Sequence, residues 1–221
     1  MFYAVAWAVC TIVLKLLFGF RAYGRRNVPR SGGVVLAINH QSYLDPVVVG
    51  CGVTRQVHYM ARDTLFRGLF GRLIRALNAF PVARGQPDAK ALREYIERVR
   101  SGKAVMLFPE GTRSHDGRLG PLQPGAGMLA VRAGAPVVPT YIDGTFEAWP
   151  RHRTLPRVAR LSIYFGTPIQ VDRREGETRR RCEERILAEI ARRLAELEAL
   201  ALSRRMRPRR RVAVGPPARQ G

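Results

Sequence analysis

His40 and Asp45 stand five positions apart in the stretch INHQSYLDP, residues 38 to 46. An imidazole and a carboxylate so placed can act as a base and its orienting partner. The carboxylate accepts a hydrogen bond from one ring nitrogen, and the other nitrogen takes a proton from a hydroxyl. On one ideal helix two such positions do not face each other, but across a strand–loop–helix junction they can. The local sequence supplies that junction. The aliphatic run before Asn39 reads as a strand ending near His40, where α/β sheets place ligand sites. Asp45-Pro46 reads as a helix start, with aspartate at the N-cap and proline at the first helical position. A reading without chemistry also stands: Asp45 as a plain cap and His40 as an ordinary loop residue.

A second stretch, VMLFPEGTRS at 105 to 114, is another buried strand that runs into a polar loop. Glu110, Gly111, Thr112 and Arg113 stand where it exits. Gly111 lets a ligand approach the backbone closely, Thr112 offers a hydroxyl, and Arg113 suits a phosphate. Glu110 and Arg113 paired to each other in a simple turn is the alternative. FPVARG (80 to 85) repeats the pattern, with Arg84 after a strand-like run. APVVPTYIDGT (135 to 145) is a buried strand interrupted by Pro139, and a proline there suits an edge or a site rim better than a sheet centre.

The elements that must hold these loops are legible as short aliphatic runs alternating with helical patterns. Residues 34–38, 57–61, 104–108, 137–142 and 161–165 read as buried strands. Residues 63–77 and 88–100 read as helices, and a further helix over 128–133 ends at Gly134. In the first, Phe66, Leu69, Phe70, Leu73 and Leu77 share one side, which either packs on the sheet or lies at a membrane interface. A long charged helix follows from 175 to about 202. This order predicts an α/β fold, a mostly parallel or mixed sheet flanked by helices, with a membrane-associated helix at the N-terminus.

The chain of 221 residues carries a formal net charge of +21, nearly all of it from arginine. Such a balance favours anionic partners: phosphorylated small molecules, an anionic membrane surface, an acidic carrier protein or nucleic acid. A GC-rich genome also enriches arginine. The three cysteines, Cys10, Cys51 and Cys182, are scattered, which argues against a disulfide framework and a zinc site. Phe2 to Phe20 is apolar apart from Lys15, and Arg21, Arg25 and Arg26 follow. No basic segment precedes it, so a cleaved signal peptide is a poor reading. If this segment spans a membrane, the positive-inside rule puts the rest in the cytoplasm; a core helix is the plain alternative. The expected organisation is 1–23 as the apolar helix, 24–202 as the α/β domain and 203–221 as a basic, disordered tail.

The ordered blocks Asn39 to Asp45, Phe80 to Gly85, Phe108 to Ser114 and Val137 to Pro139 resemble the glycerophospholipid acyltransferase family, whose best-known members are lysophosphatidate acyltransferases. The likeness runs from about Gly24 to Phe165. It implies transfer of a fatty acyl group from acyl-CoA or acyl carrier protein to a hydroxyl of a lysophospholipid acceptor, 1-acylglycerol 3-phosphate. It implies His40 as general base, Asp45 as its partner, and no acyl-enzyme intermediate. By the same resemblance Arg84, Glu110, Gly111, Thr112 and Arg113 bind substrate. Arg84 and Arg113 hold the phosphate, and N–H groups near Gly111 face the oxyanion. No metal or cofactor is expected beyond the acyl donor, and no specific nucleic acid. The expected location is the cell membrane, with the catalytic domain on the cytoplasmic side. Ala83, Gln123, Thr140 and Tyr141 depart from the family pattern. They leave open a related enzyme that uses glycerol 3-phosphate, another lysophospholipid or a lyso-aminolipid. A non-enzymatic basic module that binds membrane or nucleic acid is the remaining alternative.

Overall fold

Alternate residues of a strand point to opposite faces of its sheet. All five residues of Val34–Ile38 are buried, so this strand needs an apolar layer on each side. In chain order the elements are α1 (Phe2–Phe18), β1 (Arg21–Tyr23), β2 (Val34–Ile38), α2 (Asp45–Gly52), β3 (Val57–Arg62), α3 (Gly68–Ala76), β4 (Ala79–Val82), α4 (Ala89–Arg100), β5 (Ala104–Leu107), α5 (Pro124–Ala133), β6 (Val137–Asp143), α6 (Thr145–Ala148), β7 (Ser162–Phe165) and α7 (Arg179–Met206). The structure is a computed structural model that describes residues 2–83 and 88–206. Arg84 and most of the expected basic tail lie outside the described residues.

The strands form one seven-stranded sheet in the order β1-β7-β6-β2-β5-β3-β4. From β6 to β4 all neighbours are parallel. β7 is antiparallel to β6 and carries β1 parallel to itself. On one face Val34, Leu36 and Ile38 pack with Met106, Val138, Val48, Val49 and Leu14, the last three from α2 and α1. On the other, Val35 and Ala37 pack with Val105, Val137, Tyr95, Ile186 and Ile190, which brings in α4 and α7. The period-2 alternation of one aliphatic run therefore builds both layers. The parallel strands end together, and their C-terminal ends hold the loops singled out in the sequence.

Two expectations change. First, Pro139 lies inside the sheet, in β6 between β2 and β7, and not at an edge. Its carbonyl accepts from Gly166 N–H at 2.8 Å, one residue past the end of β7. The donor that proline lacks falls where the β6–β7 ladder starts, so the parallel ladder to β2 is unbroken. Second, the helix expected over 63–77 is a 3-10 turn, Asp63–Phe66, followed by α3. Gly68, at φ 60°, makes the break in a conformation that costs glycine little. The N-terminal segment, for which the sequence leaves spanning open, forms α1, and no described helix is long and apolar enough to cross a membrane. α1 buries Thr11 and Leu14. Trp7 Nε1 donates to Gly50 O at 3.0 Å, and Tyr3 Oη accepts from Val57 N–H at 3.2 Å, so the helix is fastened to the domain. Val5, Val9, Ile12 and Leu16 on its other side are exposed.

Candidate active site

Asp45 is wholly buried in the first turn of α2. A carboxylate there is stabilised by the positive end of the helix. Its side chain does not cap α2, as the sequence alone allowed; it turns back toward the loop before it. Oδ2 accepts from Gln41 N–H at 2.7 Å and Ser42 N–H at 2.8 Å, and it lies 2.8 Å from His40 Nδ1. Three donors converge on one oxygen, and Oδ1 is buried without a protein partner. A carboxylate with this set of neighbours requires the proton of the neutral imidazole on Nδ1, which leaves the Nε2 lone pair to act as a base.

The main chain of His40 is clamped on both sides. Its N–H donates to Glu110 Oε1 at 2.7 Å, and its carbonyl accepts from Ser114 N–H at 2.7 Å. Its ring stacks on Phe108 with centroids 4.0 Å apart. Only 13% of the side chain is exposed. Upstream, the Asn39 amide donates to Ile142 O at 3.0 Å and accepts from Ile142 N–H at 2.7 Å, which ties the end of β2 to β6. Few freedoms remain to the imidazole, as a base that must meet a hydroxyl within hydrogen-bond reach requires.

Glu110 does not pair with Arg113. Its second oxygen accepts from Gly120 N–H at 2.8 Å, so both oxygens of this buried carboxylate hold backbone donors. Burial pushes the carboxyl up from its ordinary range, and the two N–H bonds oppose that. Gly111 takes φ 71° in the turn after it, with Gln123 beside it, and its own N–H donates to Phe108 O at 3.0 Å. That N–H is therefore occupied within the loop. Thr112 is exposed. Arg113 sits over the Tyr43 ring, its guanidinium carbon 3.7 Å from the centroid, above the loop that carries the histidine and aspartate. Its Nη1 is buried with no protein partner, a donor free for an anion. Among the expected residues the structure thus joins His40, Asp45, Glu110 and Arg113 around one loop pair.

Four contributors escaped the sequence reading. Asn39 staples the sheet. Tyr43 and Trp149 flank the site, with rings 5.6 Å apart. Ser42 Oγ donates to Trp149 O at 2.6 Å and accepts from Leu44 N–H at 3.1 Å. Four polar residues directly after an all-aliphatic strand were the available signal for Asn39 and Ser42; nothing local marks Tyr43 or Trp149. No group of three or more His, Cys, Asp or Glu among the described residues is placed to hold a metal ion.

Residues 19–143 match the family model described as acyltransferase, a span that contains both clamped loops. The 1-acyl-sn-glycerol-3-phosphate acyltransferase of Bacillus subtilis is 30% identical over 72% of this chain and 77% of its own length. A chloroplastic enzyme of the same description from Brassica napus is 33% identical, but the chain spans only 44% of it. Among solved structures, the 1-acyl-sn-glycerophosphate (LPA) acyltransferase PlsC from Thermotoga maritima superposes with a TM-score of 0.69 at 27% identity, over 89% of this chain and 80% of that one.

Proposed function

The chain belongs to the acyltransferase family, and from that premise we propose that it moves a fatty acyl group from acyl-CoA or acyl carrier protein to the free hydroxyl of 1-acylglycerol 3-phosphate, giving phosphatidate. The observation that carries the reading is the orientation of Asp45, which serves the imidazole and the loop around it instead of its own helix. His40 Nε2 takes the proton of the acceptor hydroxyl. The hydroxyl oxygen bonds to the thioester carbon, and the carbonyl electrons move to its oxygen. The tetrahedral adduct then collapses, the C–S bond breaks, and the thiolate recovers the proton from His40. The Asp45 carboxylate holds the imidazolium between the two transfers. No acyl-enzyme is formed. In keeping with that, the hydroxyls of Ser42 and Ser114, the serines of these loops, are engaged in local hydrogen bonds.

Arg113 binds the acceptor phosphate, and Arg84 joins it by family position. Gly111 and Thr112 border the same space, and Glu110 supports the site through the His40 main chain. α1 lies in one leaflet of an anionic membrane through its exposed apolar side, with the domain on the cytoplasmic face, where both donors occur. The positive-inside argument needs a span, and no described helix is long and apolar enough to make one. No specific nucleic-acid partner is part of this reading.

The test is product analysis by mass spectrometry. Purified protein receives palmitoyl-CoA or palmitoyl-carrier protein and a mixture of 1-acylglycerol 3-phosphate, glycerol 3-phosphate, lysophospholipids with substituted phosphates and a lyso-aminolipid. Phosphatidate as the main product is expected. Preference for an acceptor without a phosphate monoester would exclude this acceptor and keep the mechanism.

A further inference from the structure

α3 is turned outward. Leu69, Phe70 and Leu73 are 81%, 56% and 42% exposed, while the residues it buries are Gly71 and Ile74. A helix that only covers a sheet puts its large apolar residues inward. This one reverses that order, and its packing shows how. A side chain at position 71 would meet the backbone of Phe66, so the helix folds tightly onto the preceding 3-10 turn and leaves the bulky residues outside. Leu69 and Leu73, four residues apart, share a face.

The charge around this face is mainly positive. Arg62, Arg67, Arg72 and Arg75 are exposed, and Asp63 is the only acidic residue from 62 to 77. None of the four arginines joins the ion pairs of the described residues. Arg75 lies over the Phe66 ring at 4.7 Å. Just past the helix, Leu77 lines an apolar groove with Tyr3 and Trp7 of α1 and Val47 of α2. The groove thus lies between α1 and the end of α3, and Val47 follows the reactive loop by two residues.

We propose that α3 is a second membrane contact, in which Leu69, Phe70 and Leu73 enter the acyl region of a leaflet and Arg62, Arg67, Arg72 and Arg75 bind its anionic headgroups. This rests on the reading that α1 lies on a bilayer. Apolar side chains that project singly between arginines suit a fluid headgroup layer, which closes around each one. Two contacts on either side of the groove fix the tilt of the domain, which one helix leaves free to roll.

The experiment is partitioning of the full chain onto vesicles of phosphatidylglycerol and phosphatidylethanolamine, by co-sedimentation. Leu69→Gln/Phe70→Gln is expected to weaken it about tenfold or more. Arg67→Gln/Arg72→Gln should weaken it on the order of tenfold at low salt and little at high salt. Both variants should melt as the wild type does and turn over detergent-dispersed acceptor at its rate. Wild-type partitioning by both α3 variants, with loss in a Val9→Gln/Leu16→Gln variant of α1, overturns the proposal and leaves the α1 reading intact. No vesicle binding by the wild type overturns both. Retained vesicle binding with turnover lost only for the carrier-protein donor would make α3 a carrier-protein dock, and also overturns it.

Discussion

Asp45→Asn separates chemistry from architecture, because the geometry gives the two different magnitudes. Oδ2 holds three donors at 2.7 to 2.8 Å, and Oδ1 is buried without a protein partner. An asparagine can keep its oxygen at the Oδ2 position and all three bonds with it. Its amide nitrogen then takes the Oδ1 place as a buried donor with no acceptor, which costs about 1–3 kcal/mol. For a chain of this size that lowers Tm by roughly 2–4 °C per kcal/mol. The fold survives. The negative charge does not, and with it goes the stabilisation of the imidazolium. Turnover should drop by about 10²–10⁴-fold per folded molecule. Asp45→Ala instead strands all three donors and should lose roughly 3–5 kcal/mol. The assay is the initial rate of phosphatidate formation, corrected for the folded fraction from a melt recorded in the same buffer. If folded Asp45→Asn works at the wild-type rate, Asp45 is a loop-holding residue and the proposed pair is wrong.

Glu110→Gln leaves either the His40 or the Gly120 N–H facing an amide NH2, so stability should fall by about 1–3 kcal/mol and kcat should fall with little change in acceptor KM; a raised KM with kcat intact would place Glu110 on the substrate instead. Arg113→Gln should raise the KM for a phosphate-bearing acceptor at least about tenfold, and Arg113→Lys should recover only part, because a lysine lacks the planar fork that stacks on Tyr43. Kinetics against 1-acylglycerol 3-phosphate decide it, and full recovery by lysine contradicts the stacked geometry. His58 Nδ1 accepts from Arg98 Nη1 at 2.6 Å, and burial, aided by Arg98, Lys103 and Arg55, lowers its pKa to about 4. The folded state thus binds the proton more weakly than the unfolded chain. Its contribution is intact above about pH 6.5 and is lost as pH falls toward 4, by at most about 3 kcal/mol. Urea midpoints at pH 7 and pH 5 should differ less in His58→Gln than in the wild type; equal differences refute the assignment.

Much of the fold follows from local pattern. Runs such as Val34–Ile38 and Ala104–Leu107 are long enough in aliphatics to be strands buried on both faces, and they lie where the sequence puts them. β1 escapes because Arg21–Tyr23 has no apolar run; its place comes from pairing with β7, a long-range event. Pro139 misleads because the rule against proline in a sheet centre assumes a donor is missed on a full ladder, and here the ladder begins at that residue. α3 shows a clear apolar side in sequence, but periodicity reports only that a face exists and not what covers it. At the site, residue types located His40, Asp45 and Arg113. The partners of Asp45 are set by how the loop turns back on α2, and the partners of Glu110 by where β5 sits beside β2. Neither is a property of neighbouring letters. The stacking of Arg113 on Tyr43 joins two loops seventy positions apart in the chain, and no spacing within either encodes it.

The central claim is that His40 removes the proton of the acceptor hydroxyl. The direct measurement is the rate of phosphatidate formation by His40→Ala with saturating palmitoyl-CoA and 1-acylglycerol 3-phosphate, alongside a melt. The imidazole ring contacts Phe108 and Asp45, while its backbone clamps do not depend on the side chain, so the variant should fold. A fall of at least about 10²-fold in a folded variant is the predicted result. A folded His40→Ala protein that makes phosphatidate at the wild-type rate contradicts the account.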